Sequence, residues 1–387
     1  MDKVSENATT ELERFWEALI PMHHGEKPCL YRHGRIDGAL MSYKDLYAHG
    51  HCAAAYLMVQ GLQHGDPVVI LSGHTADYLI LDLALQYLGA INITLPVDVD
   101  TDTLFHICAR YEARFVFVPD AQTLLHHREL DAIKPQLAAV LVGNDDLEGL
   151  ESSKLIAFDR LVAIGKTAWR ESAPQLRYRK QAVRPSDLYA LVVPEEGPGG
   201  DFEPLSFKAL MENIADAEQA FNKVQAKALV SILQPYRVLH RSYGTYGAMK
   251  ARTPIWLYPL EALKAEFFAS VQPTVFSADP AHIRALYDLL PQLIGKDPNA
   301  AKAAAKAIQK AHEVIAKKVE AEAQGKPNPF FNRIRYRFRN RKIYAKARAA
   351  LGSKLQLIVC DGPGLDREAN IFFTECGITI ASPTPFL

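Results

Sequence analysis

Gly65-Asp66-Pro67-Val68-Val69-Ile70-Leu71 decides how the fold is read. A turn-forming Gly-Asp-Pro hands the chain into four apolar residues, three of them β-branched. The run is too short for a helix and unbroken by polar residues, as a parallel strand covered on both faces should be. Phe115-Val116-Phe117-Val118 and Ala139-Val140-Leu141-Val142 repeat the pattern. Helical periodicity falls around them at 43–60, 75–89, 101–112 and 121–134. Alternation of this kind specifies a parallel sheet with helices on both faces. Upstream, Thr10-x-x-Glu13 is a capping box, and Leu12, Phe15, Trp16 and Leu19 form the buried stripe of the helix it opens.

Downstream, residues 143–186 lose the rhythm in charged, irregular text, which places a boundary: a first α/β subdomain at 1–186 and a second at 187–387. The second series predicts strands at 188–193, 228–233, 254–258, 273–276 and 355–360. Its helices are predicted at 206–222, 240–250, 259–270, 279–291 and 365–376. A helical excursion at 295–350 interrupts it. There an Ala/Lys-rich one-sided surface helix over 299–324 carries the stripe Ala304, Ile308, Ala311, Ile315 and Val319, and Gly325 and Pro327 end it. The expected fold is α/β, with two doubly wound, mainly parallel sheets packed with helices.

The 387 residues are 49% hydrophobic and 23% charged, enough for a sizeable core without disulfide staples. Lys plus Arg equals Asp plus Glu at 44 each, so net charge selects no partner. Cys29, Cys52, Cys108, Cys360 and Cys376 are scattered and odd in number, with no C-x-x-C spacing; they read as reduced, mostly buried thiols of a cytoplasmic protein. The polar start Met1-Asp2-Lys3 has no apolar secretory core. The apolar stretch Leu79 to Val97 is broken by Asp82, Gln86, Gly89, Asn92 and Pro96 and cannot span a bilayer. In His23-His24 and His126-His127 adjacent side chains point apart, so neither pair is expected to chelate metal. Gly197-Pro198-Gly199-Gly200 lacks the G-x-G-x-x-G context of a dinucleotide site.

Several segments carry a family resemblance in order along the chain: Ser42-Tyr43-Lys44-Asp45-Leu46; Gly61 and then 65–71; Gly89-Ala90 followed by Pro96; Ser231-Ile232-Leu233 through Arg241; Phe267 to Phe276; Lys346 to Gly352; and Cys360-Asp361-Gly362-Pro363-Gly364-Leu365. Together they resemble the N-terminal domain of AMP-forming long-chain fatty acyl-CoA synthetases, in the acyl-adenylating superfamily. The resemblance implies two doubly wound sheets, to which the family adds a small barrel and a mobile C-terminal lid domain. This chain is expected to lack the lid.

The resemblance also implies an ATP site whose parts can be checked. The family's phosphate loop reads T-S-G-T-T-G-x-P-K-G, presenting backbone amides and hydroxyls. Here it reads Pro194-Glu195-Glu196-Gly197-Pro198-Gly199-Gly200-Asp201-Phe202-Glu203. The hydroxyls are gone, Phe202 stands where the family has lysine, and Pro194 and Pro198 remove two amide donors. Four carboxylates have appeared. Two unit charges about 5 Å apart repel by roughly 3 kcal/mol at an effective dielectric near 20. Arg237 replaces the histidine of the S-x-L-P-L-x-H segment and reads as a surface or salt-bridged arginine, while Arg241 matches the family arginine. Where the family runs from G-I-x-x into Y-G-x-T-E, this chain has Gly377-Ile378-Thr379-Ile380, then Ala381-Ser382-Pro383-Thr384-Pro385-Phe386-Leu387, without the Thr-Glu pair.

The expectation is therefore an acyl-CoA synthetase-like pseudoenzyme that binds neither ATP nor Mg²⁺ productively. It would engage an acyl chain, or a protein partner or second copy over the surface the lid would cover. One alternative is a ligase half-enzyme completed by a separate C-terminal chain. Another is a peripheral membrane scaffold at the inner face of the membrane, acting through Arg333, Arg335, Arg337, Arg339 and Arg341, which alternate with Ile334, Tyr336 and Phe338. Nucleic acid is the least expected partner.

Overall fold

The computed structural model describes residues 10–20, 25–32, 41–73, 75–127, 137–143, 154–194, 197–258, 262–323 and 342–387, with side chains from 314 to 323 excluded. In chain order the strands are β1 (Pro28–Arg32), β2 (Met41–Ser42), β3 (Pro67–Leu71), β4 (Ile91–Leu95), β5 (Phe115–Val118), β6 (Ala139–Val142) and β7 (Leu155–Ala157). They continue as β8 (Leu188–Val192), β9 (Glu203–Ser206), β10 (Leu229–Ser231), β11 (Ile255–Leu257), β12 (Val275–Ala278), β13 (Leu357–Cys360) and β14 (Thr379–Ala381). They form two seven-stranded sheets, ordered β7-β6-β5-β3-β4-β8-β9 and β14-β13-β12-β10-β11-β1-β2. Each is parallel except for one antiparallel edge pair, β8–β9 in the first and β1–β2 in the second. The two doubly wound, mainly parallel sheets read from the sequence are thus present.

Period-two alternation sorts the strand side chains onto opposite faces. Val68 and Ile70 of β3 join the large central core with Phe115 and Phe117 of β5. Val69, Leu71, Val116 and Val118 join an outer core with Leu104 and Ile107 of the helix Thr101–Arg110. In the second sheet Leu229, Val275, Leu357 and Val359 face the same central core. Val230, Phe276, Ile358 and Cys360 face another outer core with residues of the helices Pro280–Ile294 and Arg367–Glu375. The result is five layers, helix–sheet–helix–sheet–helix, with both sheets leaning on one shared helical layer.

Local signals explain most boundaries. Thr10 and Glu13 form the expected capping box, and Leu12, Phe15, Trp16 and Leu19 are the buried residues of Glu11–Leu19. Ser42 and Asp45 form a second box at the start of Tyr43–Val59. The helices Phe207–Lys223, Pro280–Ile294, Pro298–Ala323 and Arg367–Glu375 fall close to their predicted ranges. Ala304, Ile308 and Ala311 form the buried stripe of Pro298–Ala323 over its described side chains; Ile315, Val319, Gly325 and Pro327 lie outside them. All five cysteines are buried and unpaired.

Three features differ from the sequence reading. The stretch expected to be irregular at 143–186 contains β7 and a 25-residue helix, Phe158–Ala182. Its buried residues Phe158, Leu161, Gly165 and Leu176 are too sparse for a strong periodic signal. The helix expected at 75–89 is present as Ala76–Leu88, closed at Gly89 with a φ of 65°, but the strand β4 that follows it is not in the sequence reading. Finally, position 186/187 is not where one sheet ends and the other begins: β8 and β9 complete the first sheet, and β1 and β2 complete the second.

The long helix Phe158–Ala182 lies against Tyr43–Val59 at Gly165, where a Cβ would sit 2.0 Å from the carbonyl oxygen of Cys52. Backbone cannot yield as a side-chain tip can. Gly165→Ala is expected to cost about 2–3 kcal/mol in a urea titration, with the helices forced apart; an unchanged midpoint would refute this contact.

Candidate nucleotide cleft

The loop that would hold phosphates joins β8 to β9. Gly197 takes φ 105°, a conformation that glycine adopts without steric cost. The Gly197 amide donates to the Pro194 carbonyl at 3.0 Å, and the Gly200 amide donates to the Gly197 carbonyl at 3.3 Å. Two amides of this glycine-rich turn are therefore spent inside the turn, and Pro194 and Pro198 have none to offer. Glu195 and Glu196 lie outside the described residues. Asp201 turns outward to Arg110, whose Nη2 donates to its Oδ1 at 2.8 Å. Phe202 does the reverse: it is 9% exposed, belongs to the outer core of the first sheet and packs against Tyr111 at a ring separation of 5.6 Å.

Beside the loop lies a cavity of about 550 Å³ at the carboxyl ends of β8, β13 and β14, lined by Val192, Glu203, Arg237, Asp361, Pro383 and Leu387 among others. Arg237 is its one cationic lining residue among those described, and its Nε donates to Asp361 Oδ2 at 3.0 Å. The salt-bridged reading of Arg237 is correct. The helix Phe207–Lys223 holds the segment next to Leu387: the Asn213 side chain donates to the Phe386 carbonyl and accepts from its amide, both at 2.8 Å. Chemically, the cavity presents the Glu203 carboxylate, the Arg237–Asp361 ion pair, the hydroxyl residues Ser382 and Thr384, and apolar walls.

Arg241, four residues on, is 1% exposed and serves another end. Its Nε donates to the Tyr189 hydroxyl at 3.1 Å and its Nη2 to Asn92 Oδ1 at 3.3 Å. Tyr189 in turn donates to Asp82 at 2.6 Å, as do Asn92 at 2.6 Å and Gln86 at 3.2 Å. The Tyr246 hydroxyl makes a short bond to the same carboxylate. Trp16 Nε1 donates to Gln86 Oε1 at 3.1 Å. Arg241 and Tyr246 stand on the π-helical turn His240–Tyr246 that follows β10, whereas Asn92 and Tyr189 stand on β4 and β8. The network therefore ties the second sheet to the first through the shared layer. Burial, then the Asp82 charge, push both tyrosine hydroxyls well above their ordinary range.

Sequence reading matches Arg241 to a family position but does not find its partners. Their signal is present: Asp82 and Gln86, one helical turn apart on the same face, and Asn92 ten residues after Asp82 interrupt an otherwise apolar stretch. In the sequence they register only as bars to membrane insertion. The basic segment Arg333, Arg335, Arg337, Arg339 and Arg341 lies outside the described residues, as does His23-His24. His127, beside His126, is engaged by Thr101 Oγ1 at 2.9 Å. Among the described residues no cluster of three His, Cys, Asp or Glu could hold a metal, and no helix is long and apolar enough to cross a membrane.

Two stacked doubly wound sheets with a cleft at their carboxyl ends are the α/β fold of adenylating domains. Residues 20–192 match the family model for the AMP-binding enzyme. The chain is 25% identical over 334 residues to the long-chain-fatty-acid–CoA ligase FadD15 of Mycobacterium bovis and likewise to that of Mycobacterium tuberculosis. Those alignments cover 85% of this chain and 52% of each ligase, so the chain spans about half the length of these relatives. Among solved structures, the A domain of carboxylic acid reductase from Segniliparus rugosus in complex with AMP superposes with a TM-score of 0.65 at 14% identity, over 95% of this chain and 58% of that one. The anthranilate CoA ligase AuaEII in complex with anthranoyl-AMP gives 0.61 at 14% identity, over 98% and 60%. At that identity the two structures speak to the fold alone.

Proposed function

We propose that this chain is an acyl-CoA synthetase-like pseudoenzyme, a binding or assembly protein that forms no acyl-adenylate. The observation that carries the reading is Phe202. Where the resemblance places a phosphate-binding lysine, the side chain is sealed into the core of the first sheet. Around it the Gly197 and Gly200 amides are spent inside the turn, and Arg237 is neutralised by Asp361. Adenylate formation depends above all on electrostatic stabilisation of phosphate charge, and the described loop supplies little of it. ATP and Mg²⁺ are accordingly not productive ligands. The relatives are ligases of long-chain fatty acids, so an acyl chain is the first ligand to try, and a protein partner or second copy, at a cytoplasmic location, the second.

Calorimetric titration with Mg-ATP, together with a pyrophosphate-release assay using a long-chain fatty acid, tests this. No saturable heat to millimolar ATP and no pyrophosphate are expected. Micromolar ATP binding or fatty-acid-dependent pyrophosphate would end the proposal. The 52% coverage of the relatives favours one second reading, a ligase half completed by further polypeptide. Pyrophosphate release that appears only when the C-terminal half of such a ligase is added would select it.

A further inference from the structure

A second cavity, of about 910 Å³, shares no lining residue with the cleft beside the loop. Its position follows from topology. β3 and β5 are neighbours in the first sheet. The chain leaves β3 for the helix Ala76–Leu88, whose side chains lie in the central core. It leaves β5 for the helix Ala121–His126, whose Leu124 lies in the outer core. Adjacent strands whose carboxyl ends exit to opposite faces leave a crevice between them, and open α/β sheets bind ligands in that crevice. Thr75 and Ala76 line the cavity from the β3 side, and Pro119 and Asp120 line it from the β5 side.

The lining specifies the ligand. Helix amino termini at such a crevice ordinarily attract phosphate. Here each of three helices brings its own carboxylate instead. Asp77 and Asp159 lie in the first turns of Ala76–Leu88 and Phe158–Ala182. Asp120 caps Ala121–His126, accepting from the Thr123 amide at 2.6 Å. Lys166, two turns along the helix Phe158–Ala182 from Asp159, offsets part of this charge, and His49 also lines the cavity. Ile80, Phe158 and Trp169 supply apolar surface. We infer that this crevice is a ligand site for an organic amine carrying an apolar ring or chain, the ammonium meeting Asp77 and Asp159 and the apolar body lying on Phe158 and Trp169.

The test titrates the whole chain calorimetrically with 2-phenylethylamine and with the anion 3-phenylpropanoate, its near isostere. Saturable one-to-one binding of the amine is expected, at least about tenfold tighter than the anion. The double variant Asp77→Asn/Asp159→Asn should weaken the amine by about tenfold or more, since charge-assisted bonds become neutral ones. Ala163→Trp, at an exposed lining position, should block the crevice sterically without touching a carboxylate. Absence of saturable amine binding, equal binding of the anion, or amine binding unchanged in both variants would each overturn the inference.

Discussion

Asp82→Leu is expected to destabilise the chain by about 3–5 kcal/mol in a urea titration, because it leaves Arg241 buried without its counter-charge. Arg241 is 1% exposed and Asp82 fully buried. Arg241 reaches Asp82 through Tyr189 and Asn92, so the charges are linked by polarised hydrogen bonds rather than by direct contact. Arg241→Met should cost a similar amount by stranding the carboxylate among neutral donors. The double variant should cost less than the sum of the two, by about 1–3 kcal/mol, since neither charge is then left alone in the interior. It should not return to wild-type stability, because Tyr189, Tyr246, Gln86 and Asn92 lose an acceptor. Strict additivity would show that the two residues stabilise the chain independently. The expected consequence of either single change is loosening between the sheets, readable as faster amide exchange in β4 and β8 than in β12 and β13.

Acid should expose a second weak point at His51. The ring is 5% exposed and packs among Tyr47, Tyr87 and Trp169, with centroids at 4.1, 4.6 and 5.2 Å. Its Nδ1 is bonded to the Tyr47 carbonyl at 2.8 Å, and its Nε2 lies 3.5 Å from Lys180 Nζ. Lys180 stands over the Tyr87 ring at 4.3 Å, with the carboxylates of Glu13 and Glu17 nearby. Burial first, and the Lys180 ammonium second, lower the His51 imidazole from 6.5 to about 3. Between those values the unfolded chain takes up a proton that the folded chain refuses. Stability is therefore fully present above about pH 6.5 and is lost progressively as pH falls toward 3, by up to about 4 kcal/mol. His51→Phe should flatten this part of the stability-versus-pH curve, and Lys180→Met should shift its lower end upward. A His51→Phe curve that keeps the wild-type slope between pH 6 and 4 would assign acid sensitivity to other groups.

The parts legible from sequence are those set by local chemistry. The strands at 68–71, 115–118 and 139–142 announce themselves because a strand covered on both faces must be apolar at every position. The cap at Thr10 is legible because a helix amino terminus needs a side-chain acceptor within three residues. The helix at 158–182 is not, because its partner is another helix met at a glycine: close approach there replaces an apolar stripe with an absent side chain. At the candidate cleft, the absence of hydroxyls from the loop and the position of Phe202, where the resemblance has lysine, can be read directly. That Phe202 is buried, and that Asp201 and Arg237 are engaged by Arg110 and Asp361, cannot, because those partners lie 91 and 124 residues away.

By itself the sequence determined a two-sheet α/β chain with the resemblance of an acyl-adenylating domain, and a hydroxyl-free loop where that resemblance has its phosphate loop, since periodicity, caps and loop composition are properties of neighbouring residues. Only the tertiary structure decided which strands belong to which sheet, that Asp82 and Arg241 serve one buried network, and that a second crevice opens between β3 and β5. Each of these depends on long-range pairing. A strand's residues record that both its faces are covered, but not which strand lies beside it or which carboxylates its neighbours bring to the same opening.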